Sequence, residues 1–289
     1  MTSISNDILS ISVAFKGAEL QSIYDKQNKV ERLWNGDPSF WGKKSPVLFP
    51  IVGELKNNTY AYKGENYKLS RHGFAREMEF ELTGHTEDSL TFSIRENEQT
   101  LAVYPFKFSF SVRYTLIENA VQVTYLVENT GQEIMYFSVG GHPAFKVPFA
   151  EGTNFEDYRL IFNEKETVGR YPLSPEGLTM REPVPLLQNE NILPLTKDLF
   201  SEDAIVLKGL KSTSISVQSA KTDKRIEVSF EGFPYLGIWE TKGGDFVCVE
   251  PWCGIADSVD ASGRLEEKEG INALHPSDVF IASFSIHVF

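Results

Sequence analysis

Cysteine, basic charge and long apolar runs are all scarce in this chain of 289 residues. Its two cysteines, Cys248 and Cys253, have no histidine at a zinc-ligand spacing, and two thiolates alone do not make a structural zinc site. We therefore predict two buried or half-buried thiols in a reducing compartment. No metal is expected.

Positive charge is in short supply, with 28 basic against 40 acidic residues and a net charge of −12 at pH 7. A field of that sign repels phosphate backbones and anionic membrane surfaces, so we expect neither a nucleic-acid nor a membrane partner. No apolar run reaches the roughly 18 residues that span a bilayer, and residues 1–7 lack the regions of a signal peptide. These absences predict a soluble, cytoplasmic protein that takes a neutral substrate, or an anionic one in a local basic pocket.

Sequence templates for several enzyme classes are missing as well. The chain has no G-x-S-x-G elbow, no P-loop, no G-x-G-x-x-G after a strand and no H-E-x-x-H. Their absence argues against serine hydrolases, nucleotide enzymes, dehydrogenases and zincins. Among enzyme reactions, proton transfer that needs no cofactor stays compatible with the sequence.

Helical periodicity is nearly absent, and an alternation of period two takes its place. Apolar and polar residues alternate without a break over residues 106–116, and Glu118-Asn119 supplies a turn to the next run. Similar runs occupy residues 90–94, 215–217, 226–230 and 280–288. With no helical layer to cover a sheet, the strands must cover each other.

The pattern thus predicts an all-β protein, one large antiparallel β-sandwich, as a single domain over residues 1–289. We expect few short helices, at residues 99–104 and 262–268. The proline-rich residues 171–195 are predicted to form an irregular excursion over the surface.

Two stretches far apart each place one titratable side chain directly before a proline: Ser138-Val139-Gly140-Gly141-His142-Pro143 and Cys248-Val249-Glu250-Pro251-Trp252. The residue before proline is pushed towards extended backbone, so we expect both side chains at strand ends. An imidazole titrates near neutrality, and burial raises the pKa of a carboxyl, which makes a potential acid/base couple. The residues alone leave a structural role open for each, a histidine bonded to its loop or a carboxylate holding a turn.

A third dense patch is Arg71-His72-Gly73-Phe74-Ala75-Arg76. Arginine binds carboxylate, phosphate or paired hydroxyls through a planar fork, although the patch by itself favours a charged turn between strands. Another carboxylate, Glu54, follows the apolar residues 45–52. Of the four tryptophans, Trp239 and Trp252 are the better candidates to stack on a sugar's CH face.

In these residues the chain resembles the aldose 1-epimerases, or galactose mutarotases, and most of all their LacX-type bacterial branch. The resemblance runs through nearly the whole chain. In chain order, the matching pieces are Pro46-Val47-Leu48-Phe49-Pro50, His72-Gly73-Phe74-Ala75-Arg76, Gly141-His142-Pro143-Ala144-Phe145, Asp203-Ala204-Ile205-Val206-Leu207, Phe233-Pro234-Tyr235-Leu236-Gly237-Ile238-Trp239 and Glu250-Pro251-Trp252-Cys253-Gly254-Ile255-Ala256-Asp257.

The resemblance implies a galactose mutarotase-like supersandwich that opens and closes a sugar ring. It implies that Glu250 is the general base and His142 the general acid, on opposite sides of one sugar ring. The glutamate would start ionised and the histidine protonated. Sugar contacts are implied for His72, Arg76 and Asp203. No metal, nucleotide or covalent intermediate is required, and the partner is a small sugar.

One departure bears on the substrate. Galactose mutarotases carry an Asn-Arg pair where this chain has Gly53-Glu54-Leu55-Lys56, and its His-Gly-Phe-Ala-Arg motif resembles the hexose-6-phosphate mutarotases. Arg71, Arg76 and the pair Lys43-Lys44 are therefore candidates to hold a phosphate.

Several alternatives stay open at this point. The substrate is an aldohexose such as galactose or glucose, or its 6-phosphate. A non-catalytic carbohydrate-binding or sensing protein on the same fold fits the aromatic content and the acidic charge equally well. A glycoside hydrolase would use two carboxylates, whereas a histidine–glutamate pair suits ring opening better. A monomer and a homodimer are both compatible with the sequence.

Overall fold

The alternating pattern folds into strands throughout the chain in the computed structural model, which describes all residues 1–289. The strands are β1 (Thr2–Ser5), β2 (Leu9–Val13), β3 (Leu20–Asp25), β4 (Val30–Glu31), β5 (Val47–Leu48), β6 (Thr59–Tyr62), β7 (Glu65–Lys68), β8 (Glu81–His85), β9 (Ser89–Arg95), β10 (Phe108–Ile117), β11 (Ala120–Asn129), β12 (Met135–Phe137), β13 (Val139–Gly141), β14 (Ala144–Lys146), β15 (Tyr158–Arg170), β16 (Val184–Pro194), β17 (Ile205–Lys208), β18 (Ser214–Ser219), β19 (Arg225–Ser229), β20 (Tyr235–Trp239), β21 (Phe246–Cys253), β22 (Asn272–Leu274) and β23 (Val279–Val288).

Helical structure is confined to short pieces. The single α-helix is α1 (Glu98–Val103), and the 3-10 helices are Lys56–Asn58, Ala75–Glu77, Phe155–Asp157, Lys197–Phe200 and Leu265–Glu267. Both predicted helical segments therefore exist, the second as a 3-10 turn. None of these helices has the length and apolar character to cross a bilayer.

Two large antiparallel sheets form the body of the molecule. The nine-stranded sheet has the order β16-β15-β18-β19-β23-β11-β10-β9-β8, and the six-stranded sheet has the order β17-β20-β21-β13-β5, with β14 also paired to β21. A four-stranded sheet, β1-β2-β3-β4, and two small ladders, β12-β22 and β6-β7, complete the fold. The prediction of an all-β antiparallel sandwich is confirmed.

The clearest predicted hairpin is β10 and β11. The two strands pair from Phe108 opposite Asn129 to Ile117 opposite Ala120, and Glu118 takes the left-handed φ of 52° in the turn between them. Every second residue of β10 is buried, as the alternation predicts.

The proline-rich segment differs from its prediction. Its second half is the eleven-residue strand β16, at one edge of the nine-stranded sheet. Proline lacks a donor for the ladder, but an edge strand can present that side to solvent, so Pro185 and Pro194 fit there. The prediction of an irregular excursion is wrong for this half.

The two large sheets pack face to face around one core. The Phe49 ring, next to β5, stacks on Phe110 of β10 with 4.4 Å between centroids. At Gly141 of β13 a Cβ atom would lie 2.8 Å from the Tyr125 Oη and 2.9 Å from the Phe284 Cζ, so only glycine allows this close approach. One hydrophobic cluster of 62 residues runs from Ile4 to Val288, and it supports our proposal of a single domain.

Strand β21 is buried on both of its faces, and this positions the site. Val247, Val249 and Cys253 belong to the main core. Cys248 and Trp252, on the alternate face, belong to two smaller clusters on the other side of the six-stranded sheet. Side chains on that second face are held by a fully buried strand and yet point away from the main core.

The turn at residues 70–76 is tied to the end of β5 through Gly73. Its φ is 71°, and a Cβ atom there would lie 2.4 Å from the Phe49 carbonyl oxygen. Gly64 has a similar φ of 85° but open space around it. Substitutions at these two glycines therefore distinguish the effect of backbone strain from that of a steric clash.

We predict that Gly64→Ala lowers the free energy of unfolding by about 1–2 kcal/mol through left-handed strain alone. Gly73→Ala should lower it by about 1–3 kcal/mol more, because the segment must also move away from Phe49. Urea unfolding of both variants measures the difference. Equal losses in the two variants would contradict the packing described for Gly73.

Candidate active site

A cavity of about 360 Å³ lies over the second face of the six-stranded sheet. That volume is at the lower end of the roughly 300–1,000 Å³ of small-molecule sites. Its lining residues are Trp41, Gly53, Glu54, Arg71, His72, Arg76, His142, Leu173, Gly177, Asp203, Ala204, Val206, Trp239, Glu250, Trp252, Ile255 and Ala256. All seven side chains predicted as catalytic or sugar-binding are thus brought together, although their roles stay predictions.

His142 and Glu250 are cross-strand neighbours in the floor of this cavity. Gly140 of β13 lies opposite Trp252, and Ala144 of β14 lies opposite Cys248. The register is the same on both sides of the break between these strands, so His142 lies opposite Glu250. The His142 Nε2 is 3.3 Å from the Glu250 Oε2.

The two residues differ in how their strands present them. His142 directly follows β13, as predicted, but Glu250 lies inside β21, which continues through Pro251 to Cys253. The prediction of a strand end at Glu250 is wrong. Proline is tolerated inside this strand because the pairing of β21 with β13 ends at Trp252 and resumes with β14 at Cys248, so the missing N–H removes no regular ladder bond.

Aromatic rings enclose the His142 imidazole. Trp41 stacks on it with 4.8 Å between ring centroids, while Trp239 and His72 meet it edge-on at 5.7 and 5.8 Å. This shell fixes the ring plane and keeps most water from it. The side chain is therefore oriented by packing, and its Nδ1 has no hydrogen-bond partner within the protein.

Burial shifts both members of the pair towards their neutral forms. Burial, together with the charges of Arg76 and Arg71, lowers the pKa of His142 from 6.5 to about 3. Burial also raises the pKa of Glu250 well above its ordinary 4.5, against the lowering effect of the Trp252 indole N–H. The sequence resemblance implied an ionised glutamate and a protonated histidine, whereas burial of the two groups favours a neutral histidine and a protonated glutamate.

The two arrangements contain the same single proton. A pair this close titrates as a unit, and transfer of the proton over 3.3 Å converts one arrangement into the other. The separation is too short for a sugar ring to fit between the two groups. The expectation that they lie on opposite sides of the ring does not agree with this spacing, and both groups reach the same small region of the cavity.

His72 is held in the tight turn that leads into the arginines. It takes a left-handed φ of 66°, and its Nδ1 accepts a hydrogen bond of 3.1 Å from the Gly53 N–H. The proton of the neutral ring is then on Nε2. Burial, His142 and the two arginines hold the pKa of His72 well below 6.5, which makes it a neutral donor.

The arginines differ in their partners. The Arg71 Nε is 2.9 Å from the Glu54 Oε1 in an ion pair, with 41% of the Arg71 side chain exposed. Arg76 donates from Nη2 to the Arg71 carbonyl oxygen at 2.9 Å, and its Nε has no partner within the protein. A Cβ atom at Gly177 would be 2.0 Å from the Arg71 Nη2, so this glycine makes room for the guanidinium.

Asp203 is at the exposed side of the cavity. It has a φ of 75°, and its Oδ1 accepts a hydrogen bond from the N–H of Ala204. Its negative charge contributes to the raised pKa of Glu250. The remaining carboxylate oxygen can accept from a ligand hydroxyl.

Two predicted phosphate contacts are absent from the cavity lining. The Lys43 Nζ pairs with the Glu77 Oε1 at 2.8 Å, and the Lys44 Nζ donates to the Gln21 carbonyl oxygen at 3.0 Å. Both lysines are engaged elsewhere, so the structure contradicts their assignment to a phosphate.

Sequence reasoning missed one side chain of the site and the partner of another. Trp41 lies in an irregular segment with no motif around it, and only the three-dimensional stacking on His142 identifies it. Glu54 was recognised as a carboxylate after an apolar run, but its pairing with Arg71 had no signal, because the two residues lie on different turns.

One set of side chains has the atoms of a metal site. Ligand atoms of His142, Cys248 and Glu250 lie within 4.8 Å of one another, and all three residues are buried. The sequence indicated no such set, because alternation along β21 and pairing with the next strand create it.

Comparisons with known proteins agree with these features. The family model for aldose 1-epimerase matches residues 1–268. The chromosomal protein LacX of Lactococcus lactis subsp. lactis is 36% identical over an alignment of 294 positions, which covers 99% of this chain and 98% of that protein. A galactose mutarotase related enzyme from Lactobacillus acidophilus is 38% identical with a TM-score of 0.95, over 100% of this chain and 97% of that one. A galactose mutarotase-like protein from Lactobacillus casei is 29% identical with a TM-score of 0.92, over 100% of both chains.

The depressed pKa of His142 predicts how its ring titrates. The imidazole should stay neutral from pH 8 down to pH 5, because its pKa is about 3 in the folded protein. The unfolded chain protonates this residue near pH 6.5, so folding stability should fall as the pH drops from 6.5 towards 3. Imidazole NMR, with His142→Asn for assignment, measures the titration, and the variant should lose part of the acid sensitivity. A midpoint between pH 5 and 8 would contradict the prediction.

Proposed function

Because this chain belongs to the aldose 1-epimerase family, we propose that it is a mutarotase, which interconverts the α and β anomers of an aldohexose such as galactose or glucose. The observation that carries this proposal is the buried His142–Glu250 pair in the floor of a sugar-sized cavity. The partner is a small sugar, and the cytoplasmic location predicted from the sequence is part of the same proposal.

The pair can take up one proton and give up another, as ring opening requires. With the ring closed, Glu250 as carboxylate takes the proton of the anomeric hydroxyl while protonated His142 gives its proton to the ring oxygen. The C1–O5 bond breaks, its electron pair stays on O5, and C1 becomes an aldehyde. Rotation about C1–C2 followed by the reverse transfers closes the other anomer.

Burial favours the open-chain stage of this reaction. After ring opening the glutamate is protonated and the histidine is neutral, which is the distribution that desolvation of both groups favours. The ion pair that accompanies the closed sugar is the less favourable form in this environment. Opening the ring therefore converts the less favourable charge distribution of the pair into the more favourable one.

Unpaired polar atoms around the cavity fit a polyhydroxylated ligand. Within the protein, no hydrogen-bond partner is found for the Glu54 Oε2, Arg76 Nε or His142 Nδ1. Buried polar groups are almost always paired, so a ligand that offers several hydroxyls would complete them. Trp41 and Trp239 supply apolar surface for the sugar's CH groups.

We predict that His142→Asn and Glu250→Gln each slow anomer exchange by about 10²–10⁴-fold, because each removes one proton-transfer group. The double variant should be little slower than either single one, because the two groups act as a unit. NMR exchange spectroscopy between the α and β anomers measures the rates. His85→Asn, at an exposed position outside the cavity, is the matched control.

Two outcomes would contradict the mutarotase proposal. Exchange at the spontaneous rate by the unaltered protein on every aldohexose tested would exclude catalysis. If sugar binding were saturable in the same samples, the protein would instead be a non-catalytic carbohydrate-binding protein on the same fold.

Hexose-6-phosphates are the second candidate substrates, because Arg71 and Arg76 both line the cavity. The charges around them favour the free sugar. Glu54 already pairs with Arg71 at 2.9 Å, and Asp203 adds a second carboxylate to the lining. A phosphate would have to displace one acidic group and lie near another.

We predict that the unaltered protein prefers the free aldohexose, and that Glu54→Gln raises kcat/KM for the 6-phosphate relative to the free sugar by about fivefold. Removing one negative charge at a partly exposed site relieves about 1 kcal/mol of repulsion. Parallel exchange assays on both sugars measure the ratio. A preference of the unaltered protein for the phosphate that is lost in Arg76→Ala would overturn the prediction.

A further inference from the structure

The six-stranded sheet assembles a thiol, an imidazole and a carboxyl at one point below the cavity. Cys248 and Glu250 are two residues apart on β21 and therefore share a face. His142 is the cross-strand neighbour of Glu250, and small Ala144 is the neighbour of Cys248. The three ligand atoms lie within 4.8 Å of one another.

These three groups are the ligand types that zinc prefers. Thiolate, imidazole and carboxylate bind Zn²⁺ at about 2.0–2.3 Å, so ligand atoms in a tetrahedral site lie roughly 3.3–3.7 Å apart. The His142 Nε2 and Glu250 Oε2 already have a spacing of 3.3 Å. A separation of up to 4.8 Å must shrink by about 1.1–1.5 Å to reach this range, a movement that side-chain rotation can provide.

The groups around the three ligand atoms leave room for a bound ion. The Glu250 Oε2 is buried, and apart from the His142 Nε2 at 3.3 Å it has no polar partner, so it offers a lone pair once its proton is released. His142 and Glu250 line the cavity while Cys248 lies behind them, which leaves a fourth position open towards the cavity. Three protein ligands with one open position are the usual arrangement of an accessible zinc site.

We propose that His142, Cys248 and Glu250 bind one zinc ion, and that zinc and sugar exclude each other from the cavity. Binding releases the thiol proton and the carboxyl proton to solvent, while the neutral imidazole donates its lone pair. The ion then occupies both atoms that transfer protons to and from the sugar. Zinc is therefore an inhibitor of anomer exchange, a consequence that rests on the proposed function, whereas the binding itself does not.

The chain provides a matched control for the thiol. Cys253 is on the same strand, five residues further on, but belongs to the main core with its Sγ 4.0 Å from the Gly232 carbonyl oxygen. Cys248→Ala should abolish the zinc site, and Cys253→Ala should leave it intact. His142→Asn tests a second ligand independently, in case the first variant folds poorly.

Calorimetric titration with zinc chloride measures the binding, and Co²⁺ substitution reports the thiolate through its charge-transfer absorption. The unaltered protein and Cys253→Ala should bind one ion per chain with the thiolate band. Cys248→Ala and His142→Asn should lose at least about tenfold in affinity, Cys248→Ala without the band. Added galactose should weaken zinc binding in the unaltered protein.

Two results would overturn the proposal. One is the absence of stoichiometric zinc binding by the unaltered protein. The other is binding in folded Cys248→Ala that equals that of Cys253→Ala. Neither result depends on anomer exchange, so loss of the zinc site and failure of the mutarotase function are distinguishable.

Discussion

The burial of an imidazole beside a carboxyl, on neighbouring strands of one sheet, is the constraint on which the rest of this site depends. Two such groups avoid ionisation when water is removed, and here desolvation moves the pKa of each towards its neutral form. The surrounding structure maintains the burial. The main core supports β21 from below, and Trp41 and Trp239 close around His142 from above.

The sequence predicts the fold from one signal, the period of two, and predicts the site from ordered motifs. Neither signal reveals which strands pair with each other. His142 and Glu250 come together only because β13, β14 and β21 pair in one register, which no local pattern reveals. The proline after Glu250 predicted a strand end, yet the strand continues, because the proline lies where the pairing of β21 passes from β13 to β14. Burial on both faces of β21 likewise became visible only with both sheets in place.

For the same reason, the sequence could not predict the protonation states of His142 and Glu250. A motif identifies an acid and a base but not their dielectric surroundings, and these decide which of the two binds the proton. The enclosing rings come from a segment with no pattern of its own, as with Trp41, or from a distant strand, as with Trp239. The charge balance of the cavity depends in turn on Glu54, which pairs with Arg71. The Arg71 guanidinium has room there because Gly177 has no side chain.

The same geometry that suits proton transfer also suits a metal ion. A pair that shares one proton must present two lone-pair atoms about one hydrogen bond apart, and a cation competes for those atoms wherever a third ligand is near. On β21 the third ligand is Cys248, two residues before Glu250 on the same face. Because side chains alternate along a strand, the residue two positions before the glutamate always lies next to it on the same face. The identity of that residue therefore decides whether the acid/base pair is open to zinc.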